Sequence, residues 1–375
     1  MTFRQPENFG TQMNNELILS IPDTRPYPET PNKNELLRYA ADILANKNAA
    51  QSKLAAGQLS AEIVQELEQR HTLSLSVAMA MAANPAQYRV LWQYLCKALS
   101  PQNNDEIQWL AFPIAVVVGA NHSGSLNNAI PIADIQNLLI EYNQLDIIKN
   151  AHFLPKLVGS QELSEISAED WFFAKQSQKN AEELADKINA LPVSYEKGQQ
   201  VVMLYALCYG AADLADLAGK PLGKAALPLM QVWQELLKNQ DITVFANPMA
   251  ADLPIAALQQ GNAHRRRMAL DIFTANAVRS IRLQYPRVGV VIASEIGGAL
   301  LFIFHPIEPN PLPPLVFRHF LTPEEEIPLL VADFLDLMTQ CKVEHIHILS
   351  EALPKGEIPT YMQAIEMKGG NPFFS

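Results

Sequence analysis

The order of apolar segments near the C-terminus constrains the fold of this chain more than any other feature of its sequence. Two apolar runs, Val288–Ser294 and Ala299–Phe304, are separated by Glu295-Ile-Gly-Gly298. Runs of this length, rich in Val, Ile, Leu and Phe, are typical of strands, and a short link with two glycines is typical of a hairpin turn, because glycine adopts positive φ without strain. The sequence therefore predicts an antiparallel pair of buried strands.

A third strand, a helix and a fourth strand are predicted to follow this pair. Leu315–Phe320 is predicted to be a third strand, in which Leu315, Phe317 and His319 alternate with Val316, Arg318 and Phe320. Thr322-Pro-Glu-Glu325 has the residue types of a capping box with proline at the first helical position, although Pro328 can shift the helix start further along the chain. Val343–Leu349 is the fourth apolar run. Residues 286–375 are thus predicted to form a three-strand meander, a helix and a strand.

The rest of the chain is predicted to be mainly helical. Closely spaced prolines in residues 1–31 indicate a mobile tail, and apolar residues three and four apart indicate helices throughout residues 32–104. Residues 105–285 are predicted to be mixed. The apolar run Ile107–Val118 contains Pro113, so a strand is predicted only over the second half of that run.

Two long helices are predicted in the later part of this mixed region. Apolar residues recur at helical spacing between residues 198 and 217, and again between residues 262 and 285, where they lie on two sides of the helix. The predicted fold class is α+β, or mixed α/β. A helix-rich N-terminal and central part surrounds a buried strand, and the C-terminal sheet unit follows it.

Composition excludes several classes of protein. The 375 residues suffice for two or three domains, and 28 Lys and Arg against 39 Asp and Glu give a net charge of −11. An apolar content of 49 % excludes wholesale disorder, and the negative charge gives no general attraction to nucleic acid. The longest apolar stretch, Leu110–Ala120, is shorter than the about 20 residues of a membrane span, and the N-terminus lacks a secretory signal. We expect a soluble cytoplasmic protein.

The three cysteines, Cys96, Cys208 and Cys341, are far apart and lie among apolar residues. Neither a disulfide framework nor a zinc-binding spacing is present, so free thiols in a reducing compartment are predicted. No cofactor is predicted, because the sequence contains no cofactor-binding motif of high specificity.

The first candidate site is the loop Gly119–Ser125, which follows an apolar strand and precedes a predicted helix. Ligands bind to α/β proteins at such positions. Gly119, Asn121, His122 and Ser123 combine polar side chains with small residues that let backbone N–H groups approach an anion. The loop matches neither a P-loop nor a dinucleotide fingerprint. It is a candidate anion site, and an ordinary surface turn is the alternative.

The second candidate is a dense basic region, His264-Arg-Arg-Arg267 together with Arg279, Arg282 and Arg287. Arg279 and Arg282 are three residues apart and share a helix face, where two guanidinium groups suit a phosphate or carboxylate. The alternative is that these arginines pair with carboxylates of the same chain. Because their helix is predicted to be apolar on two sides, at least one of Arg279 and Arg282 is expected to be partly buried.

His345 and His347 are a weaker candidate for metal binding. Residues two apart on a strand face the same side, and two imidazoles can supply part of a metal site. His305 and His319 lie on neighbouring predicted strands and are further candidate ligands. Nothing in the sequence completes a known ligand set, so no metal is predicted, and a solvated polar sheet face is the alternative.

Five carboxylates accompany the C-terminal segments: Glu295, Asp333, Asp336, Glu344 and Glu351. The predicted order of three antiparallel strands, a helix and a fourth strand resembles the beginning of the ribonuclease H-like fold. That resemblance implies carboxylates on the first and fourth strands that hold Mg²⁺ for phosphodiester hydrolysis. This sequence departs from that pattern, because its first predicted strand has no Asp at its centre. Glu295 lies in the predicted turn instead, and Glu351 lies just beyond the predicted fourth strand.

The sequence favours a non-enzymatic, cytoplasmic binding, adaptor or regulatory protein of bacterial type, acting on a protein partner or as a homo-oligomer. A charged content of only 18 % suits such contacts. The alternative is an enzyme that acts on a phosphorylated or carboxylated small molecule through Gly119–Ser125 with Arg279 and Arg282. A degenerate ribonuclease H-like domain is a further alternative. An anionic small molecule is thus a second candidate partner, whereas nucleic acid and membrane are not expected.

Overall fold

The computed structural model describes residues 18, 20–27, 34–45, 48–118, 130–191, 201–238, 242–245, 249–307, 313–367 and 369–370. The chain divides into two compact units. The central unit comprises residues 32–80 and 89–268, and the C-terminal unit comprises residues 1–31, 81–88 and 269–375. Helices outweigh strands, and two sheets are present in the described residues, so the mixed α+β class is confirmed.

The central unit is built from short helices around one antiparallel sheet. Its strands are β1 (Ile107–Val118), β2 (His152–Phe153), β3 (Val158–Gly159), β4 (Val201–Ala211) and β5 (Ile242–Phe245). Its helices are α1 (Glu35–Ala45), α2 (Ala49–Glu68), α3 (Leu73–Ala80), most of α4 (Pro85–Leu99), α5 (Ile132–Asn143), α6 (Ser160–Ser164), α7 (Ala168–Ala174), α8 (Gln178–Ala190) and α9 (Ala226–Leu236). The long helix α10 (Pro254–Arg282) supplies residues to both units.

The sheet of the central unit has the order β2-β4-β1-β5, and β3 also pairs with β4. The central pair of strands runs from Ile107 opposite Ala211 to Val117 opposite Val201. One face packs against Leu139 of α5 and Trp233 of α9. On the opposite face, the ring of Trp109 contacts that of Trp171 from α7. Both faces of β1 and β4 are therefore buried.

Strand β4 shows that the helix predicted over residues 198–217 is wrong. Every residue of β4 except Ala211 is buried. A strand covered on both faces has no alternation of apolar and polar residues, so its apolar run cannot be distinguished from a buried helix by periodicity. Tertiary packing decides the conformation here.

Strand β1 is longer than predicted, because Pro113 does not interrupt it. Ala111 exchanges both of its backbone hydrogen bonds with Asp252, and β5 begins to pair with β1 only at Ala115. The nitrogen of Pro113 is directed to the same side as that of Ala111, two residues earlier. The missing N–H of Pro113 therefore lies between the hydrogen bonds to Asp252 and those to β5, and it interrupts neither set.

Among its described residues, the C-terminal unit contains a second five-stranded sheet, the last part of α10 and two further helices. Its elements are β6 (Val288–Glu295), β7 (Ala299–Pro306), β8 (Leu315–Phe320), α11 (Ile327–Gln340), β9 (His345–Leu349), α12 (Tyr361–Glu366) and β10 (Gly369–Gly370). The strand order is β10-β9-β6-β7-β8, and β9 is parallel to β6. The predicted meander, helix and strand are confirmed. Gly297 and Gly298, with φ of 110° and 87°, form the hairpin turn as predicted.

Helix α11 begins at Ile327, later than the predicted capping box. The backbone N–H and the hydroxyl of Thr322 both donate to the Glu325 carboxylate, so residues 322–325 form a closed turn ahead of the helix. Pro328 lies in the first turn of α11, where a missing N–H costs nothing. Val331, Phe334 and Met338 recur at helical spacing and are fully buried on one face of α11.

Part of the predicted N-terminal tail packs on the C-terminal unit. Ile18 and Ile21 belong to its apolar core. The guanidinium of Arg25 donates to the carbonyl oxygens of Thr322 and Glu325, at 2.6 and 2.8 Å. The described residues between 18 and 27 are thus integrated into the fold.

Among the described helices, none combines the length and the apolar character that crossing a membrane requires.

Candidate functional site

The loop with the candidate residues Gly119, Asn121, His122 and Ser123 lies outside the described residues. The described residues on either side of this loop are Val118, the last residue of β1, and Ile130. The predicted anion site in this loop therefore stays a prediction.

Arg279 and Arg282 lie in the last turn of α10, and both are exposed. The expectation of partial burial is wrong, because this part of α10 buries only the side of Leu270, Ala277 and Ile281. Arg282 donates to the carbonyl oxygens of Cys341 and Lys342, at 2.8 and 2.7 Å. These carbonyls follow α11, so the guanidinium satisfies acceptors at a helix C-terminus.

His345 and His347 lie on one face of β9, and the sheet places His305 on the same face. The register sets Gly289 of β6 opposite both His305 and His345. Helix α12 covers this face, with the Tyr361 ring 6.3 Å from that of His305. Burial lowers the pKa of His305 to about 4 and also lowers that of His347. His305 and His347 are therefore interior rather than solvated, whereas His345 is partly exposed.

His319 does not join these histidines. It pairs with Leu300 across the strands, which places it on the opposite face of the sheet. Its Nε2 lies 3.0 Å from Oε1 of Glu325. Within the described ranges, no three His, Cys, Asp or Glu side chains are grouped to hold a metal ion.

Glu295 is engaged in an internal salt bridge. Its side chain is 3 % exposed, and Arg318 of β8 donates to both carboxylate oxygens at 2.9 Å. The N–H of Gly356 donates to Oε1 at 2.9 Å. Asp333, Asp336, Glu344 and Glu351 are exposed. The arrangement of Glu295 is that of a structural carboxylate, and it gives no support to the ribonuclease H-like interpretation.

A groove between α5 and α9 is the site that the sequence patterns did not predict. Its volume is about 770 Å³, which lies in the range of natural binding clefts. The α5 wall presents Pro131, Asp134, Leu138 and Tyr142. These positions are 3, 4 and 4 residues apart and form one straight stripe along the helix.

The α9 wall presents Pro228, Gln231, Val232 and Glu235, and Leu236 closes it. Leu138, Val232 and Leu236 pack from the groove side against the core of the central unit and remain partly exposed. Apolar residues recur at helical spacing in both segments of the sequence. That these two stripes face one groove follows only from the tertiary structure.

The charged groups that line this groove are carboxylates. Asp134 lies on the α5 wall and Glu235 on the α9 wall, and none of the described residues that line the groove is a lysine or an arginine. Lys238, beyond the end of α9, pairs with Glu235 at 3.1 Å, and both side chains are exposed, so this pair is weak. An apolar floor with acidic edges suits a ligand that is apolar on one side and basic at its margins.

Comparison of the chain with protein-family models, with curated proteins and with solved structures finds no match.

Proposed function

We propose that this protein is a non-enzymatic cytoplasmic adaptor, and that the groove between α5 and α9 binds an amphipathic helix of a partner protein with basic residues along its flanks. The observation that carries the proposal is the partly exposed apolar floor between Asp134 and Glu235. Helices that bind in grooves insert apolar residues at positions i, i+3, i+4 and i+7.

The geometry of the walls sets the size of the occupant. The α5 stripe from Pro131 to Tyr142 covers 11 residues of rise, or about 16 Å at 1.5 Å per residue. A partner helix of about three turns matches this length. The occupant must present apolar residues to Leu138 and Val232, and a lysine or arginine within reach of each carboxylate.

The test uses two synthetic peptides with the same leucine pattern at helical spacing and a length of about 15 residues. One carries lysine at its polar positions and the other carries glutamate. We expect the Leu/Lys peptide to bind the full-length protein at least tenfold more tightly than the Leu/Glu peptide, as measured by fluorescence anisotropy. The charge-reversal variant Asp134→Lys/Glu235→Lys should invert this preference, and it should fold normally because both carboxylates edge the groove.

Val232→Asp in the floor should abolish binding of the Leu/Lys peptide, whereas Leu54→Asp, at an exposed leucine of α2, should leave binding unchanged. Equal affinities for both peptides in the wild type and in the charge-reversal variant would overturn the proposal. If Val232→Asp instead converts an oligomer into a monomer in sedimentation experiments, a second copy of this chain occupies the groove and the partner-helix proposal is wrong.

A further inference from the structure

The central unit contains a second concavity, separate from the groove, with a buried lysine in its wall. The cleft has a volume of about 470 Å³ and lies between α2, the C-terminal ends of α4 and α7, and the chain ahead of β1. Lys175 directly follows α7, and its side chain is only 5 % exposed. A lysine is almost never buried to this extent unless it is paired.

The surroundings hold the Lys175 ammonium in one position. Its Nζ donates to the carbonyl oxygen of Ser100 at 3.0 Å and lies 3.5 Å from the Glu106 carboxylate. Nζ also lies 5.2 Å from the centre of the Phe172 ring. Burial lowers the pKa of Lys175, and Glu106 opposes this effect only in part. A larger share of the amine is therefore neutral near pH 7 than for an exposed lysine.

The charges around the cleft indicate which chemistry it suits. Two lysines, Lys97 and Lys175, and two glutamates, Glu68 and Glu106, line the cleft, so their formal charges cancel. The balance gives no excess positive charge to attract an anion. Val64 and Phe172 supply apolar surface. A small, neutral, partly apolar molecule fits this environment, and a carbonyl is the group in such a molecule with which a lysine amine forms a covalent bond.

We propose that the Lys175 cleft binds small neutral aldehydes or ketones and that the Lys175 amine condenses with them to form an imine. This activity goes beyond helix binding in the groove and does not depend on it. The cleft geometry supports it through three features: the confined amine, the adjacent carboxylate and the aromatic wall.

The reaction balances without a further reactant. Glu106 accepts one proton from the Lys175 ammonium, and the free electron pair of Nζ forms a bond to the carbonyl carbon while the carbonyl π bond breaks towards oxygen. The oxygen takes up protons released from Nζ, directly and through Glu106, and leaves as water when the C–N double bond forms. One amine and one carbonyl thus yield one imine and one water, and the reverse reaction releases the ligand.

The experiment treats the folded full-length protein at pH 7 with benzaldehyde and sodium cyanoborohydride, which reduces an imine to a stable secondary amine. Peptide mass spectrometry compares the rate of modification at Lys175 with that at Lys179. Lys179 is a matched control: its Nζ also lies 3.5 Å from a carboxylate, that of Glu183, but its side chain is 83 % exposed. We expect Lys175 to react at least tenfold faster than Lys179 in the folded protein, and the two rates to become equal in urea.

A Lys175 rate at or below that of Lys179 in the folded protein would overturn the proposal, because a purely structural lysine is protected by burial. This comparison needs no variant and is independent of any folding defect. Glu106→Gln should slow modification of Lys175 at least fivefold, and Glu183→Gln should leave it unchanged. An unchanged Lys175 rate in Glu106→Gln would overturn the assignment of Glu106 as the proton acceptor.

Discussion

Arg318 of β8 and Glu295 at the end of β6 form a two-point salt bridge across β7, the strand that pairs with both. The Arg318 Nε donates to Oε2 and Nη2 donates to Oε1, each at 2.9 Å. Arg318 is only partly exposed, and Glu295 is almost completely buried. Because a buried carboxylate needs its partners, the two residues depend on each other for the stability of this unit.

Arg318→Met is therefore expected to lower the free energy of unfolding by about 1–3 kcal/mol, since it leaves a buried charge without its main donor. Arg38→Met is the control, because Arg38 forms an exposed pair with Glu35 that contributes little. Urea denaturation measures both variants. An Arg318→Met protein as stable as Arg38→Met would contradict a structural role for the salt bridge.

The Glu295 carboxylate should also make the stability of the protein depend on pH. Hydrogen bonds from Arg318, together with the N–H of Gly356, hold the pKa of Glu295 below its ordinary value of 4.5. A depressed folded-state pKa stabilises the protein above the unfolded-state value, and this contribution is lost as the pH falls through the folded-state pKa. The difference in unfolding free energy between the wild type and Glu295→Gln should be largest above about pH 5 and should shrink below about pH 4. A difference independent of pH from 3 to 7 would contradict this linkage.

His305 predicts an acid sensitivity of a different origin. Burial lowers its pKa to about 4 from an ordinary value of 6.5, so the unfolded chain takes up a proton that the folded protein does not. Stability should therefore fall as the pH decreases from about 7 to about 4, by on the order of 3 kcal/mol relative to His305→Phe. The same measurements on His71→Phe, at an exposed histidine, correct for the loss of one imidazole. Parallel curves for the wild type and His305→Phe would contradict this prediction, because they would show that the pKa of His305 is the same in the folded and unfolded states.

Gly261 predicts a steric effect within α10. A Cβ at this position would overlap the hydroxyl oxygen of Tyr205, whose side chain is fully buried in β4. Alanine ordinarily stabilises a helix relative to glycine by about 1 kcal/mol, but overpacking costs about 1–3 kcal/mol. Gly261→Ala should therefore lower the melting temperature.

Two further variants test this explanation. Gly57→Ala in α2, where nothing lies within 4 Å of the added carbon, should raise the melting temperature. Tyr205→Phe should reduce the cost of Gly261→Ala, because it removes the closest atom. A stabilising effect of Gly261→Ala would mean that α10 and β4 can move apart at no cost.

The C-terminal meander was predictable because its signals are local. Glycines at 297 and 298 meet the positive φ of a tight turn, and runs of mostly apolar residues mark the strands. The start of α11 was predicted too early, because Thr322 and Glu325 have the residue types of a cap but form a turn of their own. Residue types alone do not show which of these two local arrangements is formed.

The sequence by itself determined the elements whose two faces differ, such as α11 with its buried stripe of Val331, Phe334 and Met338, because a local period reports which side is covered. Only the tertiary structure decided that β4 is a strand, since burial on both faces removes the period. It also placed Lys175 beside Glu106, and Leu138 opposite Val232, across long separations in the chain. Such contacts depend on how distant segments pack, and spacing along the sequence carries no record of that packing.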